Sequence, residues 1–225
     1  MSAESPRPYR PATDPFYQPD GPPGPETAPP DAIVSQDVLR SRREPPGQVR
    51  TRKWPVLHAG QVPQVQPENW SLTIDGLVVQ TVTLNWTDYR SLPRVRVFAD
   101  FHCVTRWSRL GNLWEGVGTA ELAHLAVVDP AARYVIVGGS DDGWTTNLPL
   151  DEFLAEDALV ADRHDGRPLT AEHGGPARLV VPRLYAWKSA KWIRSITFVR
   201  DDAPGYWERL GYHDAGDPWK EQRHR

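Results

Sequence analysis

The chain has 225 residues and a formal net charge of −3, with 26 Lys and Arg set against 29 Asp and Glu, so nothing in its overall charge pulls it toward nucleic acid or an anionic membrane. Its single cysteine excludes an intramolecular disulfide and any four-thiolate zinc or iron–sulfur centre. The length suits one domain with a sizeable core plus tails, and no stretch reaches the roughly 18 apolar residues of a membrane helix.

Ten prolines fall in the first 30 residues, with little apolar surface to bury. Residues 1–53 therefore read as a largely disordered or draped arm. No apolar run suggests a secretory signal. Arg42-Arg43 is followed by Glu-Pro-Pro-Gly-Gln rather than by the hydrophobic segment of a twin-arginine leader. With a lone free thiol, these features give the expectation of a cytoplasmic protein. Within the arm, Ser35 is positioned to cap a short helix through Val38 and Leu39 that Pro45-Pro46-Gly47 ends. The basic cluster Arg40, Arg42, Arg43, Arg50, Arg52 and Lys53 reads as a solvated arm or a brace on the domain surface.

From Trp54 the composition turns globular, and residues 54–225 read as a single domain. Ser71–Gly76 alternates at period two and meets Asp-Gly before Leu77-Val78-Val79, which predicts two paired strands. Asn85 or Thr87 caps a short helix that Pro93 closes. Val95–Cys103 predicts a strand delivering Cys103 at its end. Thr119–Leu125 predicts a helix, Tyr134–Val137 a strand, and Asp151–Leu159 a capped amphipathic helix. Arg178–Val181 and Ile193–Val199 read as the last core strands. Short mixed strands and short helices without βαβ alternation give an α+β fold.

Cys103 lies in the run Phe101-His102-Cys103-Val104-Thr105-Arg106-Trp107-Ser108, with Trp114-Glu115-Gly116 following. Two readings stand: a small buried hydrophobe, or a single thiolate ligand to a metal whose other ligands come from an organic cofactor. Arg178 opens an otherwise apolar strand, so its fork emerges at the sheet end, as a salt bridge or as an anion donor. Ser189-Ala190-Lys191 is small, small and basic, which lets backbone N–H groups approach an anion. The alternative is that Lys188 and Lys191 are surface cations beside packing tryptophans. Gly138–Trp144 reads as a turn after a strand. The aromatic stretch Gly205–His213 is too apolar for a free tail and is expected to fold back near the mouth of a site.

Three segments carry a resemblance: Cys103–Ser108 with the following Trp-x-Gly, His173-Gly-Gly-Pro-Ala-Arg178 with its strand, and Lys188-Ser-Ala-Lys191-Trp192. Together they resemble the sulfite oxidase family of molybdopterin-dependent oxidoreductases, in its short single-domain form, over roughly residues 54–200. The resemblance implies a sulfite oxidase-type molybdopterin-binding domain with molybdenum held by Cys103. It implies cofactor contacts at His58, Ser140, Asp141, His173, Arg178, Ser189, Ala190 and Lys191. Arg106 and Tyr206, with His213 as the alternative to Tyr206, are candidates beside the substrate. The implied activity is two-electron oxygen-atom transfer on a small S- or N-oxide type substrate. Electrons would pass to or from a separate carrier, because no haem-attachment Cys-x-x-Cys-His occurs. Val56 and Leu57 stand where sulfite oxidases have arginine and asparagine, so the convergent arginines suited to sulfite are reduced to Arg106, Arg109 and Arg183.

Two rival classes remain on sequence grounds. One is a cysteine-nucleophile enzyme using Cys103 with His102 or a distant histidine as base; His102 is poorly suited because adjacent strand residues face opposite sides. The other is a cofactor-free module presenting its ten tryptophans as a recognition surface.

Overall fold

The computed structural model describes residues 21–141 and 143–225. Two sheets share the chain. The seven-stranded sheet contains β1 (Ile33–Val34), β2 (Val49–Arg50), β5 (Val95–His102), β6 (Trp107–Gly118), β9 (Leu159–His164), β10 (Arg167–Pro168) and β11 (Arg178–Val180). Its path runs β1-β5-β6-β9-β10, with β2 added to β6 and β11 to β9. The five-stranded sheet runs β4-β3-β12-β7-β8, from β3 (Ser71–Gly76), β4 (Val82–Asn85), β7 (Tyr134–Gly139), β8 (Thr145–Pro149) and β12 (Ile193–Val199). Among the described residues four short α-helices join them: α1 (Trp86–Ser91), α2 (Thr119–Ala126), α3 (Leu150–Phe153) and α4 (Tyr206–Arg209). Mixed sheets with few helices make this α+β, as expected. Among the described residues no helix is long and apolar enough to cross a membrane.

Local chemistry accounts for several elements. Asn85 and Asp88 form a reciprocal capping box that starts α1. Tyr89 on that helix is fully buried, and its hydroxyl donates to Val160 O at 2.8 Å, pinning α1 across β9. The alternation in β3 buries Leu72 and Ile74 in the main apolar core, beside Val135, Val137, Ile196 and Phe198. A smaller cluster of Val97, Phe101, Trp114 and Leu159 lies between β5, β6 and β9. At Gly116 a Cβ would come within 1.9 Å of Val160 O, so only glycine lets β6 pass β9 there.

Some expectations differ from the structure. The strands beside β3 are β4 and β12, and Leu77–Val79 supplies only an isolated bridge from Val78 to Val128, because the chain turns onto the end of α2. The helix expected over 151–159 is a single turn, α3, after which Leu159 opens β9. The region around Ser35 is strand and 3-10 turn, and the Ser35 hydroxyl donates to Asp157 at 2.6 Å instead of capping. Residues 1–20 of the expected arm lie outside the described residues. From residue 21 the arm is laced into the seven-stranded sheet: β1 pairs in parallel with β5, and β2 with β6.

The basic cluster acts partly as a brace. Arg43 donates through Nη2 at 2.5 Å and Nε at 2.8 Å to Asp100, a carboxylate without solvent exposure. Removing one partner of such a pair leaves a buried charge alone. Arg43→Ala is expected to cost about 3–5 kcal/mol in chemical denaturation, and to speed proteolysis of the arm. An unchanged denaturation midpoint would contradict this account.

Candidate active site

Cys103 follows β5 directly and begins the tight turn into β6. Its N–H donates to Trp107 O at 2.9 Å, and the Arg106 N–H donates back to Cys103 O at 3.0 Å. Arg106 takes a left-handed φ of 73° to close that turn. The thiol lines a cavity of about 210 Å³ and accepts a hydrogen bond from Thr105 Oγ1 at 3.2 Å. Burial pushes the free thiol up, opposed by the Thr105 hydroxyl and nearby N–H groups. Among the described residues, no three of His, Cys, Asp and Glu gather in a way that could hold a metal ion. Any metal here would take one protein sulfur and the rest of its ligands from a cofactor.

Across the cavity stands Arg178, whose guanidinium is buried among Trp54, Phe101 and Trp114. It donates only to carbonyls: His173 O at 2.9 Å, Ser189 O at 2.8 Å and Leu179 O at 3.3 Å. Among the described residues no carboxylate pairs with it, and burial lowers it to about 9. Lys191 lines the same cavity and donates to Leu57 O and Glu172 O at 2.9 and 2.7 Å. Burial first, then the Arg178 charge, lowers it to about 7. Ser189 also faces the cavity, and its hydroxyl accepts from Val181 N–H at 3.0 Å, leaving its own proton to donate. His58 lines the cavity with a buried Nδ1 that has no hydrogen-bond partner.

These groups fit an anionic, heteroaromatic ligand. Among the described residues no carboxylate forms an ion pair with Arg178, and Lys191 is only partly offset by Asp141 and Glu172, so the net positive charge calls for an anion. The buried His58 ring nitrogen calls for a polar partner. A molybdopterin, with its phosphate and its polar pterin edge, meets both demands.

The structure thus brings Cys103, His58, Asp141, Arg178, Ser189 and Lys191 around one cavity. Other sequence candidates fall elsewhere. Ala190 is buried behind the lining. The Ser140 hydroxyl is engaged with Trp192 O at 3.0 Å. His173 stacks on Trp54 at 3.9 Å and faces a second, more open cavity beyond it. Arg106 points toward the arm, its Nη1 lying about the Gly47 backbone. Tyr206 packs edge-on against Trp207 at 5.0 Å, outside the lining. Lys188 is no surface cation: it is fully buried, 2.7 Å from Glu208. The C-terminal stretch does fold back onto the cavity, but through Trp207 and Tyr212 rather than Tyr206 or His213. Those two lining residues went unselected because composition marks a stretch as packed without saying which side chains turn inward.

Lys191 makes the charge arrangement testable. Its folded value lies below its ordinary 10.5, so the unfolded chain holds the extra proton between about pH 7 and 10.5. The ligand-free protein therefore gains stability as pH rises through that window. The denaturation midpoint is expected to climb between pH 7 and 9, and to climb less in Lys191→Met. Added sulfate should stabilise more at pH 6 than at pH 9, and equal stabilisation at both would refute the anion cradle.

Comparison with known proteins bears on this site. Residues 59–207 match the family model for the oxidoreductase molybdopterin binding domain. The chain is 51% identical over 185 residues to an uncharacterized oxidoreductase, YuiH, of Bacillus subtilis (strain 168), covering 82% of this chain and 93% of that protein. It is 30% identical over 176 residues to the protein-methionine-sulfoxide reductase catalytic subunit MsrP of Gluconobacter oxydans, covering 70% of this chain and 56% of that one. A putative protein-methionine-sulfoxide reductase subunit of Azospira oryzae is 30% identical over 157 residues, 69% of this chain and 59% of its own length. The chain thus spans little more than half of these two relatives. The fold is similar to that of the sulfane dehydrogenase SoxCD from Paracoccus pantotrophus, with a TM-score of 0.58 at 23% identity, over 62% of this chain and 40% of that chain.

Proposed function

The chain belongs to the sulfite oxidase-like molybdopterin-binding oxidoreductases and is a molybdopterin-dependent enzyme, and from that premise we propose that Cys103 is the protein's ligand to molybdenum. The observation that carries this reading is the meeting, around one cavity, of the only thiol in the chain with a buried guanidinium that has no counter-ion among the described residues. Arg178, Lys191 and Ser189 would hold the phosphate-bearing end of the cofactor, and His58 and Asp141 its polar edge. When bound, the cofactor supplies two-electron oxygen-atom transfer; the protein's part is to bind, orient and exclude water.

The reaction proposed is transfer on a small S- or N-oxide type substrate. In the reducing direction an S-oxide takes two electrons and two protons and leaves as the thioether and water. The electrons would come singly from a separate carrier. The convergent arginines that a dianion such as sulfite would need are engaged elsewhere. Arg109 donates to Asp165 at 2.6 Å, and Arg183 to Asp157 at 3.1 Å. The methionine-sulfoxide reductase relatives support an S-oxide over sulfite.

The rival readings find little support. His102 is buried and hydrogen-bonded to Ser108 Oγ at 2.8 Å, and burial lowers it to about 4, which makes it a poor base. Burial also raises the Cys103 thiol, which weighs against a thiolate nucleophile with His58 or any other histidine. None of the ten tryptophans is exposed, which removes the recognition surface that a binding module would need.

Protein made in a host that synthesises molybdopterin should carry near-stoichiometric molybdenum by metal analysis, and Cys103→Ser should lose it while keeping its fold. With a reduced viologen as carrier, S-oxides and N-oxides should turn over in preference to sulfite. Full molybdenum retention in Cys103→Ser would overturn the ligand assignment.

A further inference from the structure

The turn that presents Cys103 is held from three directions, and most of its carbonyls are engaged. Cys103 O accepts from Gln48 Nε2 at 3.0 Å, in addition to the Arg106 N–H within the turn. Arg106 O accepts from Val49 N–H at 2.8 Å. Val104 O accepts from Arg223 Nη1 at 3.0 Å. The other fork of the same guanidinium, Nη2, donates to Pro46 O at 3.0 Å. Arg223 is only 7% exposed, and its nearest carboxylate, Glu221, stands 3.8 Å away and half exposed. Its guanidinium also lies over the Tyr185 ring, 5.0 Å from the centroid. Tyr185 begins the segment that continues through Lys188 to Ser189 and Lys191. One planar fork thus touches the thiol-bearing turn, the N-terminal arm and the strap leading to the anion cradle. Nothing in the phosphate or thiol chemistry requires a charge at that spot, yet one is buried there.

We propose that Arg223, with Gln48, is a positioning residue that fixes the Cys103 turn relative to the cradle of Arg178, Ser189 and Lys191. The consequence for catalysis rests on the reading of the site given above; the consequence for the thiol does not. A guanidinium suits the task because it donates to two carbonyls at a fixed angle while its face covers an aromatic ring, whereas an ammonium reaches only one acceptor firmly. Losing the fork frees Val104 O and Pro46 O and lets the turn open without disturbing either core cluster.

Because Cys103 is the only thiol, its reaction with a chromogenic disulfide reports on this turn alone. In ligand-free protein, Arg223→Met and Gln48→Leu are expected to react about tenfold faster than wild type, the shift that losing hydrogen bonds of ordinary strength produces. Arg223→Lys should recover part of the difference. Tyr89→Phe, which loses a buried hydrogen bond far from the turn, serves as the control for general destabilisation and should leave the thiol rate unchanged. In molybdenum-loaded protein, Arg223→Met should retain metal but show a shifted or heterogeneous Mo(V) paramagnetic resonance spectrum. Wild-type thiol rates in both variants, or an equal rise in Tyr89→Phe, would overturn the proposal. An absence of molybdenum from wild type would instead overturn the functional reading and leave the thiol result to stand.

Discussion

A buried guanidinium without a carboxylate is costly, and Arg178 imposes that cost on the whole site. Three carbonyls and three aromatic rings solvate it incompletely, so the folded chain holds a positive charge that only an anion can neutralise. Other features of the cavity add to the demand. Lys191 is placed close enough for the two cations to oppose each other. Glu208 is held by Lys188 at 2.7 Å and by Trp187 Nε1 at 2.9 Å, while Asp141 on the cavity wall and Glu172 only partly offset the charge of Lys191. The protein accepts local instability in its empty state, and ligand binding relieves it.

The scaffold that tolerates this charge is built from both ends of the chain. Strands β5 and β6 carry Phe101 and Trp107 of the cavity lining, while the arm from residue 21 holds the Cys103 turn and the C-terminal stretch both braces that turn and lines the cavity. The walls contributed by Trp187, Trp207 and Tyr212 are packed against one another at centroid distances near 5.1 Å. Such a wall is rigid because each ring is fixed by its neighbours.

Legibility in the sequence tracked how local the determining physics was. The start of α1, the alternation of β3 and the apolar run of β12 are set by neighbours along the chain, and each was visible, although the choice of Asn85 over Thr87 as cap came only with the structure. Strand β6 was not, because its Gly111, Asn112 and Gly116 look like loop chemistry until β9 is known to pass against Gly116. The helix expected after Asp151 stops after one turn because Leu159, Val160 and Ala161 are claimed by sheet pairing, a tertiary demand that overrides helical spacing. At the site, Cys103, Arg178, Ser189 and Lys191 carry motif-level signals and do converge. Arg106 did not, since a left-handed residue closing a hairpin directs its side chain by backbone geometry that sequence does not display. Tyr212 and Trp207 were hidden among several aromatic residues of similar promise.

The parallel pairing of Ile33 and Val34 with Val97 and Phe98 has a consequence for the protein in crowded solution. Without those two residues, the outer side of β5 would present a row of free amide and carbonyl groups beside apolar side chains, a template on which further chains can add. The pairing is too short to extend, and Pro29-Pro30 and Pro45-Pro46 flank the segment that provides it, so it finishes the sheet without offering a fresh edge. Over Ile33 and Val34 the arm thereby takes up backbone groups of β5 that would otherwise stand open to another strand.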